Sequence, residues 1–417
     1  PRFTLLKGDC LETLKTLDDC SIDSVLCDPP YHLQSIVDRY GDTDSAPPKF
    51  GTDGAFQRSS RGFMGKTWDG GDIAFRPDFW RECYRVLKPG GHLVAFGGTR
   101  TMHRITCAIE DAGLQPRDQL HWIYFSGFPK NHNISRAIDK AAGAERDIIG
   151  TRKQNGSKFK LTEMIMDNGG FNDPNRTEYV ETIPKTADAI KWSNWGTALK
   201  PACEPACLAR KPLEKGLTIA QNVLKWGTGG INIEESRFAY GDPCWLGPQE
   251  KWHDKRDVGP KSQGSIPWGS GTKTASTQGR WPANIYQCPK PSRAEKEAGL
   301  DHLVKKTGFD LNGRKPENVG HLNAAAGTGR TSTAITNTHP TIKPTRLFEW
   351  IARLITPPGG VILDPFLGSG TTAVSGLTLG FDVVGCELTE EYWPIIEGRV
   401  NYALKQWYNA NAQYKLF

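Results

Sequence analysis

No apolar stretch among the 417 residues approaches the roughly 18 needed for a membrane-spanning helix, which excludes a helical span. The opening Pro1-Arg2-Phe3-Thr4-Leu5-Leu6-Lys7-Gly8-Asp9 carries no signal-peptide apolar core, and the two absences together predict a cytoplasmic protein. Ten cysteines stand at 10, 20, 27, 83, 107, 203, 207, 244, 288 and 386, yet no two form a C-x-x-C pair, and no histidines cluster at zinc-ligand spacing. The cysteines are therefore expected to be reduced and mostly structural, and no metal is expected. Neither Cys10 nor Cys27 has a histidine at evident spacing, which argues against a thiolate nucleophile. No Gly-Lys-Ser/Thr follows the glycine turn near residue 370, which argues against a P-loop, and Ala373 replaces the third glycine of the NAD fingerprint. No internal repeat is visible.

What is present is a soluble, globular composition with 37% apolar and 24% charged residues. A chain of this length exceeds the usual single domain, so one large α/β core plus a second module is expected. The formal net charge is only +6, but residues 251–330 hold 14 Lys and Arg against 7 Asp and Glu, a local +7. The rest of the chain then sums to about −1. A locally basic, solvated surface is one reading of that excess.

Taken in order, residues 4–10 read as a short strand ending in a polar turn, followed by Leu11, Leu14 and Leu17 at helical spacing. Residues 22–27, I-D-S-V-L-C, read as a buried strand. Residues 32–78 are rich in Gly, Pro, Asp and Arg without period and are expected to form a long loop. A helix over 79–87 is stopped by Lys88-Pro89-Gly90-Gly91, and strands follow at 92–96 and 120–125 with a helix at 102–112 between them. Residues 126–200 predict one helix, at 134–142, and 206–209 a fifth strand. Periodicity fades over 212–338, where Trp, Gly, Ser, Thr and Lys dominate, which suits a loop-rich module. The α/β pattern then returns: helix 345–355, strand 361–364, glycine turn 366–372, helix 373–379, strand 382–387 and helix 390–404. The two ends of the chain thus read as parts of one doubly wound sheet interrupted by the basic module.

Asp28-Pro29-Pro30-Tyr31 follows the 22–27 strand at its carboxyl end, where open α/β sheets keep their ligands. Two prolines fix φ and remove two backbone donors, so the loop presents carbonyl oxygens and a carboxylate as stiff acceptors beside an aromatic face. Such a set suits a flat ring bearing an amine. Gly368-Ser369-Gly370 lies between a strand and a helix, where backbone amides can approach a ligand closely. Glu387, seventeen residues beyond Gly370 at the end of the next strand, is placed to accept hydrogen bonds from both hydroxyls of a ribose. A glycine turn can also serve only to pack a helix on a strand, but the succession strand, turn, helix, strand, acid points to a nucleoside cofactor. Asp9 has two readings, helix N-cap or ligand contact. So has His339-Pro340-Thr341-Ile342-Lys343-Pro344, as a rigid lead into the next helix or as a frame that holds Lys343 against a carboxylate.

D-P-P-Y at one end, with H-P-T-x-K-P and D-P-F-x-G-S-G-T-T (Asp364 to Thr372) at the other, makes the chain resemble the β-class S-adenosylmethionine-dependent amino DNA methyltransferases of bacteria and phages. Gly8-Asp9-Cys10, Arg85-Val86-Leu87-Lys88-Pro89-Gly90-Gly91 and Leu199-Lys200-Pro201-Ala202-Cys203-Glu204-Pro205 are further similar stretches, and the resemblance covers roughly 1–211 and 339–404. It implies a mostly parallel, seven-stranded Rossmann-like methyltransferase sheet of α/β class. That sheet would be circularly permuted, so that the chain begins with the strand that should follow its last one. Residues 1–211 would be the catalytic half, 212–338 an inserted loop-rich target-recognition module and 339–417 the cofactor-binding half.

Residue by residue, the resemblance implies that Phe366, Gly368, Gly370, Thr371 and Lys343 surround the methionyl part of S-adenosylmethionine. Glu387 would hold its ribose and Asp9 its adenine, while Cys10, Asp28, Asp364 and Thr372 complete the cofactor set. Catalysis falls to Asp28, Pro29, Pro30 and Tyr31. The Asp28 carboxylate and Pro29 carbonyl would draw on the N–H bonds of an exocyclic amine and localise its lone pair toward the sulfonium methyl, with Tyr31 stacked on a base flipped from the duplex. Double-stranded DNA is the implied partner, its phosphates neutralised by the basic module and the 32–78 loop, with Arg39, Arg58, Arg61 and Lys66, closing over it. A homodimer and nucleoid association are expected as well, and the resemblance leaves open whether a cognate restriction endonuclease accompanies the chain. Adenine N6 is the expected acceptor because Asp rather than Ser opens the loop. Cytosine N4 is the alternative, and from another class a catalytically silent DNA-binding protein.

Overall fold

Short apolar runs bounded by glycine, proline and acid build the sheet. The structure is a computed structural model that describes residues 1–31, 72–127, 131–153, 178–239, 242–244, 279–306 and 334–412. Its strands are β1 (Phe3–Lys7), β2 (Ile22–Cys27), β3 (Leu87–Phe96), β4 (Gln115–Ile123), β5 (Ile148–Lys153), β6 (Glu178–Thr182), β7 (Cys203–Arg210), β8 (Ile285–Gln287), β9 (Val361–Asp364) and β10 (Asp382–Glu387). The α-helices are α1 (Cys10–Leu14), α2 (Pro77–Val86), α3 (Met102–Asp111), α4 (Ile134–Ala141), α5 (Ala187–Lys191), α6 (Ile219–Trp226), α7 (Arg293–Glu297), α8 (Thr345–Ile355), α9 (Thr371–Thr378) and α10 (Trp393–Ala412).

Eight strands form the main sheet in the order β1-β10-β9-β2-β3-β7-β4-β8, and β5 pairs with β6 apart from it. All neighbours in the main sheet are parallel except β7, which runs antiparallel to both β3 and β4. β1 lies beside β10, from Phe3 opposite Val383 to Lys7 opposite Glu387, so the first strand of the chain continues from the last, as the implied permutation requires. The expected count of seven strands is corrected to eight. The addition, β8, comes from within the 212–338 segment and is three residues long, too short for alternation to show. It is held by packing, since its own Tyr286 buries in the main core with Phe238, Cys288, Leu300 and Trp350.

Period-two alternation divides that core between the sheet faces. Leu26, Val94 and Phe96 join one apolar cluster with Leu347, Phe348 and Ile351 of α8, Leu377 of α9 and Ile396 of α10. Val25, Cys27, Leu93 and Ala95 join the other, with Phe79 and Trp80 of α2 and Ile105 and Ile109 of α3. Each fully buried Val, Leu, Ile or Phe among these contributes about 1.5–3 kcal/mol. β2 is buried along its whole length although it includes Asp23 and Ser24. Both are satisfied: Asp23 accepts from Lys88 Nζ at 2.6 Å and from the Val361 amide at 2.9 Å, and the Ser24 and Thr356 hydroxyls lie 2.8 Å apart.

Lys88-Pro89-Gly90-Gly91, expected to stop a helix before a strand at 92, lies inside β3. The helix does end there, at Val86, but the strand takes up the chain at once, with a register shift opposite Ile22 to Ser24. Gly90 sits at φ +81° at that bulge, and its amide donates to the carbonyls of Lys211 and Pro212. β7 is likewise longer than the 206–209 expected, starting at Cys203. That extension brings Glu204 into the sheet.

Candidate active site

β2 ends where Pro29 follows Asp28, since proline cannot donate to a ladder. β9 lies parallel beside it, Val25 opposite Leu363, so the Asp28–Tyr31 and Asp364–Thr372 segments leave the same end of the sheet. From β9 the sheet continues to β10 and β1, and from β2 in the opposite direction to β3. This is the reversal of strand order at which open α/β sheets form a ligand crevice.

On the β9 side the glycine turn is tied down by carboxylates. Gly368 adopts φ +57°, and a Cβ there would lie 2.8 Å from Nε2 of His339. The Gly368 amide donates to Glu387 Oε2 at 2.7 Å, and the Thr389 amide donates to Oε1 at 2.7 Å. Burial pushes the Glu387 carboxyl above its ordinary value against the pull of these amides. The Thr389 hydroxyl also bonds this carboxylate, which still keeps acceptor capacity for a further donor. Asp364 is 2% exposed; it accepts from the Phe366 amide at 2.9 Å and from the Thr372 hydroxyl, and burial raises its carboxyl to about 7. Its bonds shape the turn from beneath. Arg399, also 2% exposed, donates from Nη1 to the Ser369 carbonyl at 2.7 Å and hydroxyl at 3.0 Å. Thr371 is buried, and the half-buried Phe366 ring packs on Phe79 at 5.0 Å. Asp9 is an N-cap, its Oδ1 accepting from the Leu11 amide at 2.8 Å. Burial, and then Asp9, raises the adjacent Cys10 thiol to about 12, and burial holds Cys27 well above its ordinary value, so neither is a thiolate at neutral pH.

On the β2 side four side chains close on one another. Asp28 Oδ1 accepts from the Tyr31 hydroxyl at 2.8 Å, and Oδ2 accepts from the Lys343 ammonium. Lys343 Nζ also donates to Tyr31 Oη at 3.0 Å and pairs with Glu204 Oε2 at 3.2 Å. Tyr31 Oη is 3.2 Å from the same Glu204 oxygen. The Thr101 hydroxyl donates to the Tyr31 carbonyl at 3.0 Å and steadies the loop. Burial raises the Asp28 carboxyl despite the Lys343 charge. For Glu204 burial acts in the same direction, but Lys343 and Lys290 outweigh it and hold the carboxyl below its ordinary value. Lys343 itself is raised: burial favours the neutral amine, and Asp28 and Glu204 overcome it.

Sequence reasoning singled out Asp28, Tyr31 and Lys343 but not Glu204; Lys343, implied to border the methionyl part of the cofactor, is here engaged by Asp28 and Glu204, the carboxylate contact that one reading of the H-P-T-I-K-P stretch allowed. Glu204 had a signal in the L-K-P-A-C-E-P stretch, but the strand expected at 206–209 left it outside the sheet. Arg39, Arg58, Arg61 and Lys66 lie outside the described residues, as do residues 245–278 and 307–333. Among the described residues no helix is long and apolar enough to cross a membrane. Chemically, the site offers half-buried acceptors at Asp28 and Glu204, a buried cation between them, an aromatic ring, and a glycine turn with a carboxylate at its rim.

The N6_N4_Mtase family model, described as DNA methylase, matches residues 22–398. The type II methyltransferase M.ScaI of Streptomyces caespitosus is 35% identical over 88 residues, 21% of this chain and 29% of that protein. M.HindIII of Haemophilus influenzae is 25% identical over 246 residues, 55% of this chain and 64% of that protein. The chain thus spans less than two thirds of the length of each of these curated relatives. A crystal structure of an M1.HpyAVI–SAM complex is 16% identical with a TM-score of 0.40, covering 96% of this chain and 99% of that one.

Proposed function

Since this chain belongs to the N6/N4 DNA methylase family, we propose that it transfers a methyl group from S-adenosylmethionine to N6 of an adenine flipped out of double-stranded DNA. The observation that carries this reading is the juxtaposition, at one reversal of strand order, of the Asp28–Tyr31 acceptor loop and the glycine turn rimmed by Glu387.

The residues fit the cofactor. The turn's backbone is fixed against His339 and Glu387, so a ligand can lie along it, and Glu387 has acceptor capacity left for ribose hydroxyls. Asp9 has one oxygen beyond its capping bond for an adenine amine. Phe366, Gly370 and Thr371 border the methionyl part in this reading, with Cys10 beside Asp9, while Asp364 and Thr372 shape the turn. When bound, S-adenosylmethionine supplies an electrophilic methyl on a sulfonium.

The chain's own part is to prepare the acceptor. An exocyclic amine is a poor nucleophile because its lone pair is delocalised into the ring. Asp28 and the Pro29 carbonyl accept its two N–H bonds and turn the lone pair out of conjugation, and the prolines keep these dipoles from rearranging as charge develops. Tyr31 stacks on the ring, and stacking with phosphate contacts offsets the few kcal/mol, roughly, that flipping costs. Residues 212–338 supply the DNA-reading module in this proposal. Asp at the first loop position supports adenine, since serine is common there in the cytosine-N4 enzymes.

The test is expression in a methylation-free host followed by DNA sequencing that senses modified bases. N6-methyladenine at one motif is the expected result. N4-methylcytosine would move the acceptor to cytosine, and unmodified DNA that the protein still binds would leave a silent DNA-binding protein.

A further inference from the structure

Both Asp28 oxygens are already engaged by the protein's own donors. Oδ1 holds the Tyr31 hydroxyl and Oδ2 the Lys343 ammonium. An ammonium on a carboxylate drains the negative charge that would make it a strong acceptor for a substrate amine. Lys343 is only 6% exposed in its side chain, so drawing it off Asp28 without a replacement would leave a buried, uncompensated charge. A second carboxylate stands in reach, at 3.2 Å, on a different strand.

On the reading of Asp28 given above, we propose that Glu204 is a positioning residue for the transfer: it takes over the Lys343 ammonium when the substrate amine claims Asp28. Its placement suits that task. Glu204 lies in β7, opposite Trp122 of β4, and the next residue's carbonyl accepts from the Gly97 amide at 3.0 Å, so its backbone is fixed on both sides. Its carboxylate accepts from the Tyr124 hydroxyl, and the Lys290 ammonium lies 4.4 Å from the Tyr124 ring and acts on the same charge. These neighbours keep Glu204 ionised, whereas burial works against ionisation of Asp28. The cation therefore has a stable place to go, and the hand-over needs only a shift within bonds already formed.

The test uses the full chain, duplex DNA carrying its motif and labelled S-adenosylmethionine at saturation, in single-turnover methylation. Glu204→Gln keeps shape and removes charge; its rate should fall about 10- to 100-fold while cofactor and DNA dissociation constants stay within about two-fold. Glu204→Asp restores the charge and should recover most of the rate. Three results would overturn the role: Glu204→Gln at the wild-type rate, Glu204→Asp as slow as Glu204→Gln, or a Glu204→Gln chain whose loss is traced to weaker affinity or a lost cooperative melt. Asp28→Ala run alongside separates this from the underlying reading. If Asp28→Ala transfers normally, the reading of Asp28 falls; if it is inactive while Glu204→Gln is unimpaired, only Glu204's role falls.

Discussion

The Gly368 and Thr389 amides close on Glu387 at 2.7 Å each, the Phe366 amide closes on Asp364, and Arg399 holds the Ser369 carbonyl, so the β9 side of the cleft is fixed through backbone. Across from it, Asp28, Tyr31, Glu204 and Lys343 hold one another through side chains. Backbone held by carboxylates stays put when a neighbouring side chain changes, which suits a surface that must present one shape to a cofactor. Side-chain charges can exchange partners, which suits a surface that must trade its own donors for a substrate's. The division predicts that substitutions on the two sides separate into binding effects and rate effects.

The largest expected effect lies on the exchanging side. Asp28→Ala should lower the methyl-transfer rate by about 10³-fold or more, because in the proposed mechanism it removes the acceptor that localises the amine's lone pair. Calorimetric affinity for S-adenosylmethionine should hardly change. An equal loss of affinity would mean that the two sides are not separable.

Next comes a test of rigidity on the other side. Asp364 has its carboxyl raised by burial to about 7, with Asp28 and Glu387 adding to the rise. The folded value lies above the unfolded one near 4, so the protonated acid stabilises the fold at low pH. That contribution is lost as pH climbs through about 7, at a cost of about 2–4 kcal/mol. Urea midpoints of the wild type should therefore fall between pH 5 and pH 8 relative to those of Asp364→Asn, which has no such proton to lose. Parallel midpoints for the two proteins would place the turn's rigidity elsewhere.

The same division explains how much could be read from the chain alone. The glycine turn, Asp364, Thr372 and Glu387 fall within one strand-turn-helix-strand unit, so their relation is local and spacing exposes it. The cluster opposite is assembled from three distant segments. Asp28 and Lys343 were reachable because they stand in proline-rich segments between regular elements, but Glu204, although Pro205 follows it, lies within a strand and becomes part of the site only through the β3–β7–β4 pairing. Three-residue β8 and the continuation of β3 through Lys88-Pro89-Gly90-Gly91 escaped for a related reason, since tertiary pairing overrode local signals there. Asp9 shows the limit of spacing from the other direction. The structure realises its capping bond, and that bond leaves its ligand role open to proposal.

A smaller effect is expected from Glu387→Ala. Losing the charge-assisted hydrogen bonds proposed to ribose should weaken S-adenosylmethionine binding by about 10- to 100-fold, or about 1.5–3 kcal/mol. The rate at saturating cofactor should remain within about three-fold of wild type, since the binding side makes no contact that grows along the reaction. A fall in the saturated rate as large as the fall in affinity would show that the turn moves with the chemistry, and the contrast between a fixed side and an exchanging side would fail.

The smallest effect should come from Tyr31→Phe, and it bears on what the exchanging side exchanges. The Tyr31 hydroxyl donates to Asp28 at 2.8 Å, so it supports the carboxylate but also occupies an oxygen that the amine needs in the proposed mechanism. Removing it takes away both a support and a competitor, and the two offset; a rate within about three-fold of wild type is expected. Tyr31→Ala also removes the ring, and base-aromatic stacking worth about 1–3 kcal/mol goes with it, so its rate should drop further, by about 10-fold or more. The gap between the two variants measures the ring, and the gap between Tyr31→Phe and wild type measures the hydroxyl. If Tyr31→Phe falls as far as Tyr31→Ala, the hydroxyl is the working part. Tyr31 would then act through the charge network with Glu204 and Lys343 rather than as a stacking surface.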